Sequence, residues 1–236
     1  MVDTPSQTPR QSPLPGSGVA PELFVWLSPT FPTGAFAYSQ GLETAVSLGW
    51  VADSAHVKEW ISAAVSDGSI GNDLMLASLA MRTDSADELR EIGALGMALQ
   101  PGAERYNEAA ALAGNFRNAV CAGWPEMSDA FKVLDEHPAT LPVLLGTLVR
   151  VQGIAPADAL VAYGHAAVGH LLSAAIRLSV IGQVAAQKIH AELFPVIEAA
   201  TRRALDCEEA DIGSATLASD IASLMHETQR VRLFRS

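Results

Sequence analysis

The sequence predicts an all-α fold: a single-domain bundle of roughly ten helices, residues 21–236, behind a disordered tail, residues 1–20. Three observations predict it. Hydrophobic residues make up 49% of the 236, yet aromatics only 6%, and an Ala/Leu-rich, aromatic-poor chain favours helices because alanine loses no side-chain entropy there. Apolar residues recur at helical spacing with start signals between them. No stretch alternates with period 2, and no Asn-Gly pair marks a hairpin.

Residues 1–20 are rich in Pro, Ser, Thr and Gln and have too little bulky apolar surface to offset the entropy of ordering them. Pro21 followed by Glu22 opens a first short helix. Phe31-Pro32-Thr33-Gly34 has the composition of a type I turn. From Ser39 the pattern is helical, with Leu42, Ala45, Val46 and Gly49 on one face. Asp53 or Ser54 caps a helix to about residue 67, and residues 70–81 form the next. Ser85 and Glu88 spell a capping box ahead of Leu89, Ile92 and Leu95. Helices are further expected over 104–122, 125–136, 140–151 and 156–181. One over 185–205 should bend at Pro195, which has no backbone N–H, and the last spans 214–230.

The formal net charge of −11 argues against a general nucleic-acid binder, which needs a basic face for phosphates. Cys121 and Cys207 form no CxxC or zinc-spaced set and read as small apolar residues of a reducing cytosol. The first residues lack an apolar leader core, so no secretory signal and a cytoplasmic location are expected. The uncharged run 159–176 approaches membrane-span length, but its alanines, glycines and two histidines suit a helix buried in a bundle.

Candidate chemistry is sparse. Ala37-Tyr38-Ser39-Gln40-Gly41 approaches a nucleophile elbow, but the first glycine is missing and Pro32 and Gly34 disfavour an entering strand. Ser39 therefore reads as the cap of a helix beginning at Gln40, with a serine hydrolase as the remote alternative. Gly34 and Gly41 are followed by no GK[ST], so no nucleotide-hydrolysing P-loop is expected. His165 and His170 are five apart and do not share a helix face, so no metal site is expected there. His190, His56 and His137 raise no constellation. His226 and Glu227 read as hydrogen-bonding groups of the last helix. Arg230, Arg232 and Arg235 gather there without an acid, interleaved with Leu233 and Phe234. Cations suit a helix C-terminus, and arginines beside apolar anchors equally suit an interface. Glu43, with only Ser47 four residues on, has no local ionic partner and is expected either in solvent or against a cation on a partner.

Three stretches together resemble the UreF family of urease accessory proteins. SPTFPTGAFAYSQGLETAV matches through Phe31, Pro32, Gly34, Ser39, Gly41, Leu42 and Glu43. RLSVIGQVAAQ matches through Arg177, Gln183 and Gln187, and the final segment from Asp220 through His226, Glu227, Arg232, Leu233 and Ser236. The sequence departs from the family at Tyr38, often histidine, at Val180, often proline, and at Ala186, often glycine. The resemblance implies a non-catalytic, cofactor-free scaffold, typically dimeric. It would join UreD (also called UreH) and the GTPase UreG to apo-urease for nickel insertion, and a role in gating or coupling GTP hydrolysis is proposed for the family. The matched residues, with Tyr38, Arg230, Phe234 and Arg235, are then candidates for partner contact. The alternative is a generic helical adaptor.

Overall fold

The computed structural model describes residues 18–236; the tail expected over 1–20 falls almost wholly outside the described residues. Eleven α-helices and three short 3-10 segments, with no strand among the described residues, bear out the all-α reading. The helices are α1 (Pro21–Trp26), α2 (Leu42–Ser47), α3 (Ser54–Asp67), α4 (Ser69–Arg82), α5 (Ala86–Ala98) and α6 (Ala103–Gly123). They continue with α7 (Leu141–Gln152), α8 (Pro156–Arg177), α9 (Gln183–Glu192), α10 (Phe194–Leu205) and α11 (Leu217–His226).

Several boundaries follow from caps readable in the sequence. Asp53 Oδ1 accepts from the N–H groups of Ala55 and His56 at 2.9 and 3.0 Å, starting α3. Ser85 Oγ accepts from Glu88 N at 3.3 Å, starting α5. The capping box is only half built, because the Glu88 carboxylate takes the Thr83 hydroxyl at 2.5 Å instead.

Other expectations need correction. The helix expected from Gln40 starts at Leu42, since Gln40 and Gly41 have φ of 56° and 80° and cannot be helical. The helix expected over 125–136 is a 3-10 segment, Pro125–Leu134. Helix α8 stops at Arg177 rather than 181, with Ser179 left-handed at φ 61°. The helix expected over 185–205 is two helices that meet at Leu193, and Pro195 sits in the first turn of α10, where it lacks only an N–H that no carbonyl awaits. Helix α11 ends at His226, and residues 227–236 leave it to cross back over the chain.

Helix α4 lies at the centre and is buried almost all round, packing most extensively against α7 and also against α3, α5, α8 and α10. The approach to α7 is close: a Cβ on Gly146 would stand 2.4 Å from the Ala77 carbonyl oxygen, so only glycine fits. Helix α8 is long and apolar enough to cross a membrane by length and composition. Here it packs on α4, α10, α9 and α3, and Gly164 admits the Ile197 side chain. Buried apolar residues form one cluster from Leu23 to Phe234. Both cysteines are free; Cys207 is buried and Cys121 partly so.

Candidate functional site

The two ends of the described chain meet at α2. The turn after Phe31 closes on Gly34, left-handed at φ 81°, and leads through a 3-10 turn, Ala35–Ala37, to Tyr38. The Phe31 ring holds the turn down against Phe116, centroids 5.5 Å apart. Gln40 and Gly41 then swing the backbone beneath α11. A Cβ on Gly41 would meet Ser223 N at 2.9 Å and Ser223 Oγ at 2.7 Å. Glycine is thus required twice at this point, for its φ and for the crossing.

The segment 227–236 fills the site. Ser39 is fully buried; its N–H and its hydroxyl both donate to the Ser236 carbonyl oxygen, at 2.8 and 2.6 Å, and its Oγ accepts from Glu43 N at 3.2 Å. Arg235 N donates to Ala37 O at 2.8 Å. Glu43 Oε1 accepts from Leu233 N at 2.6 Å and Oε2 from Phe234 N at 3.0 Å. The Ser236 hydroxyl donates to Glu108, which also pairs with Arg105 at 2.5 Å. Phe234 is buried beneath the Arg177 guanidinium, 4.2 Å above its ring, while Arg177 also donates to the Phe36 carbonyl oxygen.

His226 occupies the centre with no exposed surface. Its Nε2 lies 3.1 Å from Glu43 Oε2 and its Nδ1 2.6 Å from Glu104 Oε2. Arg232 pairs with the other Glu104 oxygen and donates to the Glu227 and Gln229 carbonyl oxygens at 2.8 and 2.6 Å. Glu227 accepts from Glu104 N at 3.2 Å, which caps α6 rather than its own helix. The result is a polar lock around a buried centre, in which four carboxylates, an imidazole and three guanidinium groups have partners inside the chain. The Ser39 hydroxyl is taken up by main-chain groups and has no imidazole among its hydrogen-bond partners.

Locking α11 this way turns its apolar stripe outward. Leu217, Ile221, Leu224 and Met225 recur at i, i+4, i+7 and i+8 and are all exposed, whereas Ala222, Ser223 and His226 face inward. Val231 and Leu233 extend the exposed apolar surface, with Arg230 and Arg235 also exposed. Large exposed apolar stripes on one face are the signature of surfaces that other molecules cover.

Beneath the lock lies a cavity of about 940 Å³, lined in part by Gln40, Asp73, Arg105, Glu108, Tyr163 and His170. Burial pushes the Asp73 carboxyl up to about 6, against the opposing pull of the Tyr163 hydroxyl, which donates to it at 2.7 Å. His170 Nε2 lies 3.1 Å from the Tyr38 carbonyl oxygen, and its burial moves that ring's pKa down. Among the described residues no group of three or more His, Cys, Asp or Glu side chains is placed to hold a metal ion.

A UreF family profile matches residues 51–194. The urease accessory protein UreF of Rhizobium johnstonii is 43% identical over 215 residues, 91% of this chain and 95% of that protein. Those of Bradyrhizobium sp. strain BTAi1 and Bradyrhizobium diazoefficiens are 41% and 38% identical, each over 91% of this chain and 90% of theirs.

The chain belongs to the UreF family of urease accessory proteins.

Of the UreF motif residues, the fold brings Ser39, Gly41, Glu43, Arg177, His226, Glu227, Arg232, Phe234 and Ser236 into one lock. Pro32 stays exposed at its edge, and Gln183 and Gln187 lie exposed on α9, away from it. The departures from the UreF pattern are accommodated locally. Ala186 is buried within a continuous α9, and Val180 N donates to Ala175 O at 3.1 Å, a bond no proline could make. Glu43 finds its cationic partner, when the ring is charged, in His226 of the same chain. Sequence reasoning missed Glu104, Glu108 and Arg105, which come from the alanine-rich α6 with no spacing signal to link them to residues 43 and 226.

Proposed function

We propose that the chain is a non-catalytic scaffold of urease maturation, cytoplasmic and homodimeric, that joins UreD (UreH) and the GTPase UreG to apo-urease while nickel is inserted. Its outward surface on α11 and residues 230–235 docks UreD, and coupling to GTP hydrolysis by UreG passes through the assembled complex. The observation that carries this reading is the exposed apolar stripe of α11, held in one orientation by the lock and edged by arginines in a chain of net charge −11. A rigid apolar anchor with flanking guanidinium groups gains affinity from preorganisation.

Removing residues 230–236 does not test this cleanly, because it also takes from Ser39 and Glu43 their bonds to Leu233, Phe234 and Ser236. The paired substitution Ile221→Ser and Leu224→Ser alters only exposed side chains. It should abolish co-purification with UreD and cut urease activation in cells, with the melting temperature unchanged. Unimpaired capture of UreD by that variant would move the docking surface elsewhere. Pull-downs with UreG, with GTP and nickel varied, test the rest of the assembly.

A further inference from the structure

His165 on α8 and His190 on α9 are far apart in sequence, yet His165 Nδ1 lies 3.1 Å from His190 Nε2. The rings are tilted by 35° with centroids 5.2 Å apart. Phe194, from the first turn of α10, stands edge-on to both, at 4.6 and 5.9 Å. Among the described residues, each ring's hydrogen-bond partner is the other ring. Both rings are only partly buried, and no carbonyl or carboxylate of the described residues orients either one; two imidazoles turned toward each other are a poor structural pair and a good donor pair.

Three features fit an ion. Two imidazole nitrogens bound to one ion at about 2.0–2.1 Å, with a bite between a right angle and tetrahedral, stand roughly 3 Å apart. Both rings line the cavity, which leaves room for water on the ion and for the rings to turn toward it. Partial burial lowers the pKa of both rings, which favours the neutral, ligating form. Glu198 on α10 is close enough to act on His165 electrostatically and favours a cation nearby.

We propose that His165 and His190 form a two-imidazole chelate for one borderline divalent cation of the nickel, copper and zinc class, with water completing its shell. The ion takes the place of the hydrogen bond. The ring that now donates becomes the other tautomer: its facing N–H proton passes through solvent to its far nitrogen, and no net proton is released. With two protein ligands the site is exchangeable rather than structural. His170, one turn and a little further along α8, stays on the Tyr38 carbonyl and takes no part. The site rests on donor geometry alone and stands or falls separately from the docking of UreD.

The test is a tag-free, full-length chain stripped with a chelator and titrated with Zn²⁺ and, separately, Ni²⁺, read by calorimetry and by histidine ring NMR. The expected result is one ion per chain whose affinity falls at least tenfold in His165→Ala and in His190→Ala. The double variant should be no worse than either single one. His137→Ala, at an exposed position, should bind as wild type does. In the unsubstituted protein, substoichiometric Ni²⁺ should broaden the His165 and His190 ring signals together and before those of the other four histidines. Equal affinity in wild type and double variant, or broadening that spares either ring, overturns the site. The NMR arm decides the question even where a variant misfolds.

Discussion

Where α7 crosses α4, the buried surfaces are mostly apolar, the Thr147 hydroxyl turns back to its own helix's Val143 carbonyl oxygen, and Gly146 lets the two backbones nearly touch. Where α11 and residues 227–236 cross α2, the backbones approach just as closely at Gly41, but the buried groups are Glu43, Glu104, Glu108, His226 and the Ser39 hydroxyl. Apolar contact supplies stability with little preference for register. A polar lock supplies register: a slip of one residue along 227–236 would leave carboxylates buried and unpartnered, at a cost that no alternative packing offsets. The bundle thus uses one chemistry to hold together and another to decide how α11 is presented.

Five experiments press on that contrast. His226→Ala, which removes the buried partner that Glu43 and Glu104 share, should cost about 3–5 kcal/mol in denaturant unfolding. Leu145→Ala, in the fully buried centre of α7, should cost about 2–5 kcal/mol. A His226 variant as stable as wild type would erase the distinction between the two regions. Gly41→Ala should cost about 2–4 kcal/mol, from a left-handed backbone and the clash with Ser223, and should loosen α11 selectively in hydrogen exchange. Asp73→Asn sharpens the pH side. An acid whose folded pKa is raised from 3.8 to about 6 stabilises the fold while protonated, and that contribution is lost as pH rises through 6. The variant should therefore gain on the order of 1 kcal/mol over wild type above pH 6 and nothing below pH 4, seen as a difference in melting temperature. The smallest effect is expected for Ile221→Ser with Leu224→Ser, within about 0.5 kcal/mol of wild type in stability, since both side chains already meet solvent.

Legibility in the sequence divides along the same line. Helices α3, α4, α5, α6 and α7 fell where apolar spacing, Asp53, Ser85 and the prolines placed them, because those signals act within one turn. Helix α11 runs against the usual amphipathic rule: Ile221, Leu224 and Met225 form an apolar stripe, yet it faces outward. Its orientation is set by His226 reaching Glu43, 183 residues away, and Glu104, 122 residues away, and no local pattern encodes such pairings. Family resemblance singled out Glu43, His226 and Arg232 as candidates for partner contact, and gave no sign of the bonds they make within the chain. The His165–His190 pair was invisible for the same reason, since spacing along α8 set His165 against His170 and placed His190 in no constellation.

The bond from Ser39 to Ser236 closes a loop of 197 residues. Synthesis runs in one direction, so Ser39 and Glu43 emerge long before residues 226–236, whose groups fill them, and α4 and α7 are made in between. Until those residues arrive, water serves the open sides of both side chains. The orientation of α11 is therefore acquired late, after the apolar centre of the bundle has already been made.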